Sequence, residues 1–428
     1  MGVVLNLATC IDTLANASAL PIVTLHSAAV PLSLWSLAMA QALFFFPQLW
    51  SSLIADRFAR RFNGITAYAA TLLATAISIL VTANALREHS LFLYLLARLM
   101  NGLFRHTSLF AALAIHELPD ASKGCDARKL SRVSLIAAMV FGGALGDYVA
   151  DVAAATDILA VMEFATALAL MFLSFTCTFR SKAGNAVPTV KAYKNWLMKQ
   201  SSHWIPAFAP SALSASYGSM IQCMYPFIDR NFFHLDYVYI GLHMAVLIAV
   251  QVFLAPFVVK RYGERNPWMI HICATFLFLG AWTSPWVTNN GLVLYLCMTL
   301  LLTDLPAAVL ELMFSSAAEG DFKASEKGFA ITLHRHVKQT LKQWSRILLV
   351  SVHTMLGNRE DATRVATMPI AMGLVALIFT RQTSAALIVV PLAAWVLATS
   401  PPLDGEAIWT PFMSQLRSMI SVRPTDGP

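Results

Sequence analysis

Long apolar runs alternate with short polar breaks along this chain. The runs 3–26, 31–54, 65–85, 91–116, 132–153 and 157–179 each reach the roughly 20 residues that cross a bilayer as a helix. A polar, basic stretch at 180–203 follows. Four more runs come after it, at 205–228, 237–259, 268–287 and 291–315. Beyond 315 the pattern has two readings. A helix over about 331–356 carries Arg335, Lys338, Lys342 and Arg346 along one face. A basic face is costly in lipid, so that helix must snorkel, face a wet interior or lie on the membrane surface. In the last case the final helix pair is 365–380 and 384–399. Otherwise those runs are a twelfth helix and an extra apolar segment, and this is the register expected here. Past Pro401, Thr410 is placed as an N-cap with Pro411 at the first helical position. Phe412, Leu416, Met419 and Ile420 share a face beyond it. This predicts a short helix on the membrane surface, with a disordered tail as the alternative.

Composition supports a lipid environment. Only 12% of residues are charged, against about 25% in soluble domains. The net charge of +7 does not signal nucleic acid, because the basic residues gather in alternate loops. One side has Arg57, Arg60 and Arg61, the loop Lys123 to Arg132, the linker Arg180 to Lys199, and Lys260, Arg261 and Arg265. The other has Arg87 and Arg230. The positive-inside rule then places the N-terminus and the central linker in the cytoplasm and names no particular membrane. No basic stretch precedes the first run, so no cleaved signal peptide is expected. Five cysteines lie in apolar runs and Cys125 in a charged loop, which predicts free thiols.

Ionisable groups inside a membrane face a partner or water, and here they fall on particular runs. The first run carries Asp12 and Asn16, with Thr9 on the same stripe. The fourth carries Arg98, Asn101 and Arg105, with His106 adjacent. The seventh carries Ser216, Ser219, Gln222 and Tyr225, and the tenth Asp304 and Glu311 around Pro306. The second, third, eighth and ninth runs have almost no charge at mid-depth. Glu163 in the sixth run reads as structural. Enzyme chemistry has little to stand on: His116 and Asp120 lack a nucleophile, and His334 and His336 lack further metal ligands. Neither a metal nor a cofactor is expected.

One pattern occurs twice. Ser52 to Arg61 reads S-L-I-A-D-R-F-A-R-R, and Pro256 to Arg265 reads P-F-V-V-K-R-Y-G-E-R. Two charged turns placed alike indicate internal duplication. The first resembles the loop signature of the major facilitator superfamily, G-x-x-x-D-R-x-G-R-R, with Ser52 and Ala59 at its glycine positions. Lys327-Gly328-Phe329-Ala330 is similar to that family's lead into helix eleven. Ile11-Asp12-Thr13 with Ala19-Leu20-Pro21 resembles the helix-one motif of drug:proton antiporters. Arg98-Leu99-Met100-Asn101-Gly102 is similar to their helix-four motif, and Gly102 to Ser108 resembles the tetracycline-transporter-like group. In the fifth run Gly142 and Gly146 match the antiporter pattern G-x-x-x-G-P-x-x-G-G, while Ala138, Gly143 and Asp147 depart from it.

The resemblance implies an all-α integral membrane protein of two pseudo-symmetric six-helix bundles, about 12 transmembrane helices in all. The expected bundles are 1–179 and 204–399, with a linker at 180–203 and a tail at 400–428. Helices one, four, seven and ten would line a central cavity. The substrate and coupling candidates are then Asp12, Asn16, Arg98, Asn101, Arg105, His106, Gln222, Tyr225, Asp304 and Glu311. The gating candidates are Asp56, Arg57, Arg60, Arg61, Arg261 and Arg265. The expectation is a monomeric secondary transporter of a small polar organic solute, with protons as a candidate coupling ion and lipid as its other partner. The alternative is a non-transporting receptor or scaffold of the same fold.

Overall fold

The computed structural model describes residues 2–30, 64–104, 127–149, 151–176, 201–231, 233–262, 266–287, 291–320 and 362–380. It also describes helical positions within 36–47, 334–349 and 388–393. The signature loop at 52–61, Arg105, His106, the linker at 180–200, Arg265, the Lys327 to Ala330 string and the tail beyond 400 lie outside them.

The described residues form helices and no strands. In chain order these are α1 (Gly2–Ala17), α2 (Val23–Ala29), α3 (Gly64–Arg87), α4 (Leu91–Phe104), α5 (Ala127–Tyr148) and α6 (Val152–Thr176). The second half has α7 (Ser201–Gln222), α8 (Tyr225–Asn231), α9 (Tyr237–Tyr262) and α10 (Pro267–Val287). Next comes α11, which runs through Leu292–Met298, Thr299–Asp304 and Leu305–Gly320, and then α12 (Ala362–Thr380). Among the described residues, α3, α6, α9 and α11 are long and apolar enough to cross a bilayer by themselves.

In lipid every backbone polar group must be satisfied within the protein. The hydroxyls of Thr71, Thr75, Ser78 and Thr82 return their donors to carbonyls one turn back in α3. Large apolar side chains such as Phe172, Trp268 and Val293 point outward, which suits a surface facing hydrocarbon. Within the first half α3 packs on α4 and α6, and α1 on α5 and α6. Within the second, α7 packs on α11 and α12, and α10 on α12.

Both halves break their first helix at the same level. Pro21 lies between α1 and α2, and Pro226 just after the junction of α7 and α8. The charged-turn repeat sets Asp56 on Lys260, and that offset brings Pro21 within one residue of Pro226. Each proline lacks the N–H its helix needs for a bond one turn back. The duplication read from the loops therefore extends into the helices.

Two more prolines act differently. Val250–Leu254 in α9 and Thr299–Asp304 in α11 are π-helical, and each segment ends two residues before a proline, Pro256 or Pro306. Pro256 has no N–H for Val252, and Pro306 has none for Leu302. The ladder widens to five-residue spacing there instead of kinking sharply. The Leu302 carbonyl packs on Gly280 of α10, where a β-carbon would stand 2.9 Å away.

The halves meet along α5 and α9, at the end opposite Lys260 and Arg261 of α9. A β-carbon on Gly143 would collide with the Tyr237 carbonyl, and one on Gly241 with the Met139 carbonyl. Gly146 fits against Tyr237 and Ile22, and Gly142 against the Ser18 backbone where α1 breaks. Asp147 completes this seam. Its carboxylate accepts from the Tyr237 amide at 2.9 Å and the Val238 amide at 2.8 Å, capping the start of α9. The positions that depart from the antiporter pattern thus make a joint across the two halves.

The late basic face also finds its place. The described helical positions within 334–349 pack against α7 and α11. His334 bonds Ser211 at 2.9 Å, and Ser345 donates to the Ser216 carbonyl at 3.1 Å. Lys338 and Lys342 pair with Glu311 at 2.8 and 3.5 Å, and Arg346 donates to the Ser219 carbonyl at 3.3 Å. This segment belongs to the bundle and does not lie on the membrane surface.

Candidate functional site

Asp304 ends the π segment of α11 and is 1% exposed. Its Oδ1 accepts from Gln222 Nε2 and from Gln251 Nε2, both at 2.8 Å, and its Oδ2 accepts from the Tyr225 hydroxyl at 2.6 Å. The same hydroxyl lies 3.1 Å from Thr303 Oγ1. A buried carboxylate is costly unless its lone pairs are met, and here three donors meet them. Every member sits at an irregular point of its helix. Gln222 is the last residue of α7 and Tyr225 the first of α8, Gln251 lies in the π segment of α9, and Asp304 in that of α11. A regular helix presents each face at fixed intervals. The break and the two π turns let three helices aim polar groups at one point.

A second polar pair adjoins it. His243 Nδ1 lies 2.8 Å from Asp229 Oδ2, and both side chains are buried, at 6% and 0% exposure. The His243 ring lies 5.3 Å from that of Tyr225 and 5.7 Å from that of Tyr295.

In the first half, Asn16 Nδ2 donates to Asp12 Oδ1 at 2.9 Å and reaches Glu163 Oε1 at 3.4 Å. The Tyr68 hydroxyl reaches Thr9 Oγ1 at 3.4 Å. Glu163, read from sequence as structural, is fully buried and part of this acidic group. Arg98 lies over the Phe44 ring at 4.7 Å, and its Nε is buried without a hydrogen bond among the described residues. Asn101 Oδ1 is in the same condition. Asp12 and Asn16 therefore form one cluster, Gln222, Tyr225 and Asp304 another, and Glu311 pairs with lysines. Ser214 and Ser216 of α7 turn back on the helix backbone, Ser216 donating to the Ala212 carbonyl at 2.7 Å, while Ser219 Oγ is buried without a hydrogen bond among the described residues. Arg261 is exposed on the last turn of α9.

Sequence reading missed Gln251, Asp229, His243 and Tyr68. Gln251 and His243 lie on a run whose apolar bulk hides single polar residues. A tally of polar residues two to ten positions before an intramembrane proline would have marked Gln251 beside Asp304. Among the described residues, no group of three or more His, Cys, Asp or Glu is placed to hold a metal ion.

No protein-family model matches the sequence, and no curated protein matches it significantly. Solved structures do match. The nucleoside transporter NupG is 14% identical, with 90% of this chain and 98% of that chain covered and a TM-score of 0.66. A bacterial homolog of the human lysosomal transporter Spinster, inward-facing and unoccupied, is 12% identical over 94% and 98%, with a TM-score of 0.66. A D-xylose–proton symporter is 12% identical over 87% and 96%, with a TM-score of 0.61. At such identities the likeness is one of architecture. The chain has the major facilitator fold, two six-helix bundles of an integral membrane protein in one polypeptide.

Proposed function

We propose that this chain is a secondary transporter that moves a small polar organic solute by alternating access, with Asp304 at the centre of its solute site. The observation that carries this is the convergence of two π segments and a helix break on one buried carboxylate. Such irregular backbone costs stability in lipid and is tolerated where it lines a site. A carboxyl group that accepts from two carboxamides and a phenol suits a solute rich in hydroxyl or amide donors, which replaces the glutamines on Asp304. The similar nucleoside transporter and D-xylose–proton symporter make nucleosides and monosaccharides the first solutes to try. Asp12, Asn16 and Arg98 serve the opposite wall, with the unbonded Arg98 Nε and Asn101 Oδ1 as further contacts. The basic loops face the cytoplasm, so the α5–α9 seam closes the outer side and the molecule is inward-facing. Residues 1–179 and 204–399 act as the two rocking bodies, joined by the linker at 180–203. The charged turn, with Asp56, Arg57, Arg60 and Arg61 in one half and Arg261 and Arg265 in the other, closes the inner side in the opposite state. Arg105 and His106 extend the cavity face of α4.

Thermal stability of the purified protein, screened against nucleosides, monosaccharides and amino acids, tests this. A solute at a hundredfold excess over Kd stabilises the folded state by about 2.7 kcal/mol. The expected result is a shift with one class, lost in Asp304→Asn and in Gln251→Leu, followed by uptake of that solute into proteoliposomes. Binding that survives both substitutions overturns the site, and binding without uptake points to a receptor.

A further inference from the structure

We propose that Asp229 and His243 form the protein's proton-binding site, wired to Asp304 so that proton and solute load together. The inference rests on Asp304 being the solute site, and adds the coupling ion and its residues.

The geometry leaves a place for one more proton on this pair. His243 Nδ1 lies on Asp229 Oδ2 at 2.8 Å, so Nδ1 carries a hydrogen and donates it. The other ring nitrogen, Nε2, faces Thr299 Oγ1 at 3.4 Å. The Thr299 hydroxyl is also within 3.0 Å of the Leu296 carbonyl, the shorter of its two contacts. When it donates there, Thr299 Oγ1 and His243 Nε2 face each other as two acceptors. A proton arriving at Nε2 supplies the hydrogen between them: the N–H bond forms there, Thr299 Oγ1 accepts, and no other bond changes. The imidazolium so formed lies beside the Asp229 carboxylate, and the buried pair becomes neutral overall. Without that proton the pair holds a net negative charge in an apolar interior, the state a membrane protein least tolerates.

The surroundings leave few other places for the charge. From α8 the pair faces Asp229 itself and Tyr225. From α11 it faces Tyr295, Asp304 and the hydroxyls of Thr299 and Thr303. The Tyr295 hydroxyl stands beside Asp229, yet neither it nor Asp229 Oδ1 completes a hydrogen bond of good geometry. Arg230 pairs loosely with Asp236 at 3.9 Å and lies over Tyr237 at the start of α9. On α5, Asp147 is held by the Tyr237 and Val238 amides. On α2, which packs on α8, His26 is buried with its ring 6.3 Å from that of Tyr94. No cation other than His243 is described in contact with Asp229.

The route to Asp304 is short. Tyr225 touches the His243 ring and donates to Asp304, while Thr299 and Thr303 share the π segment that carries Asp304. An imidazolium at His243 favours Asp304 as an acceptor-only carboxylate, the form a donor-rich solute needs. Linkage is reciprocal, so the bound solute holds the proton in turn. Both then cross in the same direction, and the coupling is symport.

The test uses the proton alone. The full chain is reconstituted in proteoliposomes, adsorbed to a solid-supported membrane and given pH jumps without solute. Wild type is expected to show a transient charge displacement. His243→Gln and Asp229→Asn are each expected to reduce it at least tenfold. Asp304→Asn keeps it but moves its half-maximal pH toward acid, because a neighbouring negative charge is gone. A silent wild type, or a His243→Gln or Asp229→Asn protein with an undiminished transient, overturns the proposal. An unaltered pH profile in Asp304→Asn overturns the coupling. Should His243→Gln fail to fold, Asp229→Asn decides. Failure of the solute reading leaves the wild-type transient in place, so the two can be told apart.

Discussion

At the scale of single residues, the Tyr225 hydroxyl has the most to reveal. It donates to Asp304 at 2.6 Å in a buried site, and a hydrogen bond to a charged group contributes about 1.5–3 kcal/mol. Tyr225→Phe removes that one atom and keeps the ring against His243. Solute affinity should fall by roughly tenfold or more, measured by titration calorimetry, with the fold intact by circular dichroism. Asp304 was legible in the sequence because an acid in an apolar run is conspicuous. Gln222 and Tyr225 were legible as a stripe, but their target was not. Spacing along one helix gives a face and says nothing of which neighbour meets it. Asp229 lies just past the end of its apolar run and did not stand out there, although it is fully buried.

At the scale of elements, prolines decide the shape. Four of them accompany irregularities, with two outcomes, while Pro210 and Pro369 sit inside the α-helical spans of α7 and α12. Pro21 and Pro226 accompany breaks, while Pro256 and Pro306 follow π turns. Their positions were visible, but whether the chain breaks or widens depends on the packing of neighbours such as Gly280. Pro306→Ala restores a donor for Leu302 and allows regular α spacing through 299–304. That turns Asp304 away from Gln222 and Gln251. The expected outcome is loss of solute binding with melting temperature kept or raised, since the proline penalty in a helix interior is about 3 kcal/mol. A variant that melts at the same temperature and binds solute normally would show that the π turn is incidental. The basic face over 338–346 is the converse case. Its periodicity was plain, its direction open, and Glu311 one helix away settled it.

At the scale of the molecule, the duplication was readable from two loops and reaches into matched helix breaks. The joint between halves was not readable, because Asp147 looked only like a departure from a motif. Its carboxylate caps a helix of the other half, and loss of such a cap costs about 1 kcal/mol. Asp147→Ala should therefore shift the balance between closed and open seams about fivefold. A cysteine at Ile22, which is buried against Gly146, reports on this. Its labelling by a membrane-impermeant maleimide should quicken by that factor in the Asp147→Ala background. Unchanged labelling would mean that the glycine packing alone holds the seam.

The matched breaks also set a length. Beyond them each half ends its first helix in a stub of seven residues, Val23–Ala29 and Tyr225–Asn231, and the two stubs pack on each other. Seven residues of helix span about 10 Å, so a stub tilting by about 20° carries its tip about 3.5 Å. That is the thickness of an aromatic ring. In the proposed transporter a door of this size would open and shut on a small solute while the long helices stand still, and admission would need far less motion than transit.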